Sequence, residues 1–257
     1  MSTARSPHGD SGRKVVFLGA TKGMGRALAR LLAERGDSLF LLGRDAEDVA
    51  RSAADLQARG AGNPVLHASC DLSAPAGFAA ALDQADAALG GFDTVVITAA
   101  LFATQEQLEA DRALLQRVLT VDFVNTVLLC EEVRERLLAR GGGTLCVFSS
   151  VAGERGRKPT LLYGAAKAGL SRYLEGLDHK FRARGLRTIC VKPGFVKTGA
   201  TAGMQPPPFA GEPEGVARDV VRALVRGTPE IYTPGVWGHI MRVIRWLPRF
   251  VMRKINF

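Results

Sequence analysis

Seven short runs rich in apolar residues, separated by helix-length segments and glycine turns, constrain this chain more than any other feature. Positions 15–18, 38–42, 65–69, 93–98, 144–148, 187–192 and 230–233 read as strands. Most are continuous apolar runs, not alternating ones. Such strands are buried on both faces, which marks a parallel sheet covered by helices. Between them the pattern turns helical, as at Leu28, Leu31 and Leu32, then over about 45–59, up to Leu89, 105–139 with a break near Asp111, 163–184 and 214–226. The expected fold class is α/β: one doubly wound, mostly parallel seven-stranded sheet in a single domain spanning 13–234. A short lead-in (1–12) precedes it, and a basic amphipathic extension (235–257) follows.

Composition narrows the function classes. The formal charge is +9, but no acid follows Glu230, and Arg242, Arg245, Arg249, Arg253 and Lys254 all lie beyond it. The body is therefore only mildly basic, which argues against a general nucleic-acid surface. Cys70, Cys130, Cys146 and Cys190 show no CxxC pairing and read as buried free thiols of a reducing compartment. His8, His67, His179 and His239 are scattered, so no metal-ligand cluster is expected. The N-terminus lacks the apolar core of a signal peptide, and no stretch reads as an apolar span of about 20 residues. The expected location is cytoplasmic.

In doubly wound sheets, ligands bind at the carboxyl ends of the strands. The chemistry-bearing residues fall there. Ser150 follows the fifth strand, and Tyr163 and Lys167, four apart, share a helix face one turn apart. An ammonium beside a phenol stabilises the phenolate and lowers its pKa from about 10, and a neighbouring hydroxyl can hold a carbonyl oxygen. Taken alone, the stretch reads equally well as a loop before a closely packed small-residue helix.

After the first strand, Gly19, Gly23 and Gly25 are spaced G-x-x-x-G-x-G and open a helix. Glycines let a backbone approach a pyrophosphate, and a helix N-terminus supplies free N–H groups. The second strand ends in Gly43-Arg44, where an acid would hold the ribose hydroxyls of NAD, and Lys22 lies in the glycine turn. Two cations placed for a ribose 2′-phosphate favour NADPH/NADP+, although both residues also read as ordinary solvated cations. Asp71 is placed to accept from an adenine amino group or to cap a helix.

Gly19-x-x-x-Gly23-x-Gly25, Asp71-Leu72, Ser150 with Tyr163-x-x-x-Lys167, and Pro193-Gly194 followed by Thr198 together resemble the short-chain dehydrogenase/reductase family over about 13–230. The resemblance implies a Rossmann fold and reversible hydride transfer between NAD(P)H and a carbonyl or alcohol. It makes Tyr163 the general acid/base, Lys167 its tuning residue and ribose ligand, and Ser150 the group orienting the substrate oxygen. It also places Thr21, Met24, Leu72, Ala99, Ala100, Val196 and Thr198 along the cofactor. Departures stand beside these matches. Ile97-Thr98-Ala99-Ala100 replaces Asn-Asn-Ala-Gly, and Leu18 replaces a threonine. Asp122 stands where the family's relay asparagine is expected, with Asn125 nearby. Within the family, Ser149-Ser-Val-Ala-Gly-Glu-Arg and Lys192-Pro-Gly-Phe-Val-Lys-Thr are similar to decaprenylphosphoryl keto-erythropentose reductases.

In the tail, Trp237, Ile240, Met241 and Ile244 form one helical stripe with arginines off it. Such a helix either lies on an anionic membrane surface or packs over the substrate cleft or a partner subunit. The expected activity is NADPH-dependent reduction of a ketone, hydrophobic or lipid-linked, by a homo-oligomer (dimer or tetramer) that contacts the membrane peripherally. A 3-oxoacyl or 3-ketosphinganine-type reductase is an alternative, and a non-catalytic dinucleotide-binding scaffold is one of another class.

Overall fold

The computed structural model describes residues 12–256, so the expected lead-in lies, apart from Gly12, outside the described residues. Its centre is one seven-stranded sheet. The strands are β1 (Lys14–Leu18), β2 (Ser38–Gly43), β3 (Leu66–Ser69), β4 (Thr94–Ile97), β5 (Gly143–Phe148), β6 (Leu186–Pro193) and β7 (Glu230–Thr233). Their spatial order is β3-β2-β1-β4-β5-β6-β7, and every pairing is parallel.

Both faces of the sheet are covered. Successive residues of β1 feed opposite layers, because side chains alternate along a strand. Val16 and Leu18 pack with Leu82 of α3 (Phe78–Leu89), Val133 of α6 (Thr126–Ala139) and Leu174 of α7 (Leu161–Phe181). Val15 and Phe17 pack with Leu28 of α1 (Gly23–Glu34), Val49 of α2 (Ala46–Ala58) and Val220 of α8 (Pro213–Arg226). Two-sided burial holds for the inner strands but not at the edges, where β3 is largely exposed and β7 only partly covered. An edge strand has a neighbour on one side only.

The long helical stretch breaks at Asp111, as its sequence implies. Asp111 ends α4 (Gln105–Ala110) and caps α5 (Arg112–Leu119), its carboxylate accepting from the N–H groups of Ala113 and Leu114 at 2.8 and 3.0 Å. A second irregularity, which the apolar pattern does not reveal, is a π-helical turn over Thr120–Asn125 that turns Asp122 and Asn125 inward. Because α5, this turn and α6 run on continuously, 112–139 is long and apolar enough to cross a membrane by length and composition. Here it forms part of the layer over the sheet, burying Val118, Val121, Leu129, Cys130, Val133 and Leu137.

The C-terminal stripe also turns inward. On α9 (Val236–Trp246), Trp237, Met241 and Ile244 are buried with Val151, and Ile240, Phe195 and Tyr232 pack around them. Of the surfaces expected for this stripe (a membrane, the chain's own cleft or a partner subunit), it packs on the chain itself, at the β6–β7 end beside Val151. α10 (Arg249–Met252) follows Pro248. All four cysteines are free and buried, and burial pushes the Cys70 and Cys190 thiols up to about 11. No metal-ligand cluster occurs among the described residues.

Candidate active site

Chain order reverses between β1 and β4, so the loops leaving their carboxyl ends diverge and open a crevice. The glycine turn lines it. Gly19 (φ +101°) and Gly23 (φ +52°) are in conformations that favour glycine. A side chain at Gly25 would overlap the Gly19 carbonyl oxygen and come within 2.6 Å of Thr98 Oγ1. The Thr98 hydroxyl donates to that same carbonyl at 2.9 Å, so the residue replacing an asparagine ties β4 to the turn. The N-terminus of α1 has no side-chain cap and no acid in its first turn. Unpaired N–H groups at a helix start, behind a turn with no side chains in the way, fit a pyrophosphate.

The remaining proposed cofactor positions lie around this turn. Thr21 and Met24 are within it, and the Thr21 carbonyl accepts from Arg26 Nε at 2.8 Å. Arg44 is exposed at the end of β2. Lys22 is not a free cation, since its ammonium pairs with Asp48 at 3.2 Å. Of the two cations expected at the 2′ position, Arg44 is therefore the one without a carboxylate partner among the described residues. Asp71 accepts from the Ser73 N–H at 2.8 Å, a local turn and not a helix cap. Buried Leu72 gives its carbonyl to Asn125 Nδ2 at 2.6 Å, which commits Asn125 to holding the β3 loop. Ala99 and Ala100 follow Thr98 at the mouth of β4. Pro193 ends β6, Gly194 donates to the Thr233 carbonyl at 3.0 Å, and Val196 pairs with Gly211. The Thr198 methyl stands 3.3 Å from where a side chain at Gly23 would begin, so the two loops meet.

Across the crevice, β5 delivers Ser150 and α7 delivers Tyr163 and Lys167. The Ser150 hydroxyl accepts from the Ala152 N–H at 3.1 Å. Lys167 is buried under the Tyr163 ring, 5.6 Å from its centroid, with its ammonium 3.4 Å from the Phe148 carbonyl and 3.5 Å from Asp122 Oδ2. Asp122 is completely buried, and its other oxygen accepts from the Leu101 N–H at 2.7 Å. The π-helical turn thus brings a carboxylate directly onto Lys167.

This pair alters the electrostatics expected from Tyr163 and Lys167 alone. Burial raises the Tyr163 phenol, Lys167 pulls it down, and Asp122 raises it again, with the net result above the ordinary value of 10.0 and not below it. Ser150 lies near enough to favour the ionised phenol slightly. Burial alone would pull the Lys167 ammonium down, but Asp122 and then Tyr163 outweigh it and hold Lys167 above its usual value. The Asp122 carboxyl is itself raised, because burial outweighs the attraction of Lys167.

Several site residues escape sequence reading. Phe102 sets its ring edge-on to Tyr163 at 5.5 Å and is 40% exposed, so it borders the open side of the phenol. Gln105 accepts from the Leu162 N–H at 3.1 Å and ties α4 to the start of α7. Glu154, between Ser150 and Tyr163, takes Lys192 at 2.6 Å, Arg245 at 3.1 Å and the Tyr232 hydroxyl at 3.0 Å, while Lys192 also pairs with Glu230. Lys192 is held above its ordinary value by these two carboxylates despite burial. The only sequence signal was the position of Lys192 before Pro193-Gly194.

Residues 13–207 match the family model described as short chain dehydrogenase. The chain belongs to the short-chain dehydrogenase/reductase family. An uncharacterized oxidoreductase of Mycobacterium tuberculosis is 35% identical over 245 residues, covering 94% of this chain and 96% of that one. A cis-4-hydroxycyclohexanecarboxylate dehydrogenase of Sinomonas cyclohexanicum is 33% identical over 195 residues, covering 75% and 76%. A short-chain type dehydrogenase/reductase from Mycobacterium ulcerans superimposes with a TM-score of 0.77 at 21% identity, covering 86% and 88%, and shares the Rossmann-like fold. This chain is accordingly an oxidoreductase of a family that uses a nicotinamide dinucleotide, NAD(P)(H), and acts on small molecules.

Proposed function

We propose that this oxidoreductase is an NADPH-dependent ketone reductase, working reversibly as an alcohol dehydrogenase, with Tyr163 as its general acid. The observation that carries the reading is the Tyr163 phenol at the crevice, backed by Lys167 and Asp122 and approached by Ser150. A bound nicotinamide supplies or takes the hydride. Ser150 orients the carbonyl oxygen, and the Tyr163 O–H gives it a proton as the carbon is reduced. A phenol held above its ordinary value stays protonated at neutral pH, which suits the reductive direction. Lys167 holds the ribose and the charge balance beneath the phenol, and Asp122 holds Lys167. The exposed Arg44, without a carboxylate partner among the described residues, supports a 2′-phosphate and hence NADPH.

Replacing Tyr163 by Phe tests the assignment. Ketone-dependent NADPH oxidation falls by about 10²–10⁴, while NADPH binding followed by fluorescence is retained. Turnover that survives the change refutes Tyr163 as the acid.

For the substrate, a hydrophobic or lipid-linked ketone is favoured by the apolar, cation-rich C-terminal surface with Val243, Trp246 and Phe250 exposed. The same surface is the one available for peripheral membrane contact at the cytoplasmic face, since the Trp237 stripe is used internally. A compact cyclic alcohol is a second reading, favoured by the name of the Sinomonas relative. A ketone panel graded from cyclohexanone carboxylates to polyprenyl-linked substrates separates the two. Exposed Leu119, Val124 and Leu128 on the α5–α6 run support a homo-oligomer built on that face.

A further inference from the structure

A cavity of about 470 Å³ lies away from the glycine turn, between the segment joining Ser150 to Tyr163 and the last helix. Its lining is Arg155, Gly156, Lys158, Arg249, Met252 and Arg253, four cations with no acid. None of the four has a carboxylate partner among the described residues. The nearest acid in sequence, Glu154, is occupied by Lys192 and Arg245, and no acid follows Glu230. Two of the cations are held in place. Arg155 Nη2 donates to the Leu247 carbonyl at 2.9 Å, and Lys158 Nζ donates to the Arg253 carbonyl and Asn256 Oδ1, both at 2.8 Å. These bonds leave further guanidinium and ammonium N–H groups. Arg249 and Arg253 are exposed at the rim.

Four cations around one cavity, with no carboxylate partner among the described residues, repel each other and focus a positive potential that an anion relieves. The volume lies within the range of ligand pockets and holds more than a lone tetrahedral anion. Apolar surface adjoins it in the chain: Trp246 is 83% exposed and Phe250 63%, on either side of Arg249, while Met252 lies in the lining itself. Exposed rings three residues before and one after a lining arginine, with Met252 in the lining itself, match a ligand with an anionic head and an apolar chain.

We propose that this cavity binds the phosphate ester head of a single amphiphile, with the apolar chain lying against Trp246 and Phe250. The head is gripped by Arg155, Lys158, Arg249 and Arg253, arginine being suited to bidentate contact with phosphate oxygens. The site concerns binding alone and stands whether or not the amphiphile carries the ketone reduced at Tyr163.

Isothermal titration of the full chain with dihexanoyl phosphatidic acid, kept monomeric, tests the site. The lipid binds, and Arg249→Gln and Arg253→Gln each weaken binding about fivefold, together about 25-fold. Trp246→Ser weakens the lipid but not inorganic pyrophosphate, which binds less tightly and competes. Both arginines are exposed and without ion-pair partners among the described residues, so circular dichroism and melting of these variants match the parent. The proposal is overturned if dihexanoyl phosphatidylcholine binds as well as the acid, or if the arginine changes leave affinity unaltered. It is equally overturned if pyrophosphate binds as tightly as the lipid, or if only vesicles of phosphatidic acid bind, which is surface adsorption. Repeating the titration on Tyr163→Phe protein separates this site from the reductase reading, because binding persists there with turnover lost.

Discussion

Asp122→Asn is the most informative single change, because it installs the residue the family resemblance leads one to expect and removes a charge the structure uses. Asp122 Oδ2 lies 3.5 Å from Lys167 Nζ, and both side chains are essentially closed to solvent. At an effective dielectric near 20, two unit charges at that separation attract by about 5 kcal/mol. Breaking a buried pair by removing one partner costs about 3–5 kcal/mol, since the other charge is left uncompensated. For a chain of this size each kcal/mol is worth about 2–4 °C, so the variant melts roughly 6–20 °C lower at pH 7. Asparagine keeps an acceptor for the Leu101 N–H, so the loss reports on charge and not on that hydrogen bond.

The pH dependence has a definite sign. Lys167 is raised in the folded state, so the stability it draws from Asp122 is present below 10.5 and disappears as pH climbs through its folded value. Asp122 is also raised, because burial disfavours its charge, so its own ionisation draws stability from the fold as pH rises from 3.8 through its folded value. The melting gap between parent and variant therefore narrows on the alkaline side, as pH climbs toward the folded value of Lys167. On the proposed mechanism Tyr163 must be a phenolate in the alcohol-oxidising direction, and Asp122 is one of the groups holding it protonated. Its removal shifts the alkaline limb of kcat/KM for oxidation to lower pH. Differential scanning fluorimetry from pH 4 to 10.5, with pH–rate profiles for oxidation, provides both readouts. An unchanged melting temperature at pH 7 together with an unmoved limb refutes the charged pair.

Arg44→Asp weakens NADPH far more than NADH, by roughly tenfold or more for one lost charge-assisted contact, and equal losses in KM for both cofactors dispose of the 2′-phosphate assignment. Gly194→Ala drives a methyl into the Trp237 indole; overpacking costs about 1–3 kcal/mol, read as a lower urea midpoint, and normal stability means that α9 does not sit on β6. Glu154→Gln strips Lys192 and Arg245 of a shared carboxylate, and with Glu230 still present the cost is about 2–3 kcal/mol with a fall in kcat as the Ser150 loop loosens. Parental kcat with parental stability rejects that linkage.

The architecture is legible because each layer leaves its own period in the sequence. β1 is apolar at every position after Lys14 since Val15 and Phe17 serve one layer and Val16 and Leu18 the other. The break at Asp111 is legible because a capping residue is a local device. The π-helical turn is not, since Thr120–Asn125 reads as ordinary helix and only the inward position of Asp122 distinguishes it. Tyr163 and Lys167 are legible by their four-residue spacing, but the direction of the Tyr163 shift is not. It depends on burial and on Asp122, which lies 41 residues away in sequence. Lys22 is a similar case, a cation in the right place whose partner, Asp48, comes from the next helix.

The C-terminal stripe shows how a correct pattern can admit two meanings. Amphipathic spacing shows that one face of α9 seeks an apolar surface and leaves open which one. The surface is built by the chain itself: Val151 beside Ser150, Phe195 beside Gly194, and Tyr232 on β7. Trp237 then lies against Gly194, where only a missing side chain gives it room, and donates to the Phe209 carbonyl at 3.2 Å. Arg245 reaches from the same helix to Glu154. Contacts from α9 thus fall on both sides of the crevice, on the Ser150 segment and on the Pro193-Gly194 loop that meets the glycine turn. A helix held in this way ties those two segments together, and on the proposed reading it walls the site. On the reading proposed above, its outward face, with exposed Arg242, Val243 and Trp246, meets an anionic, partly apolar partner.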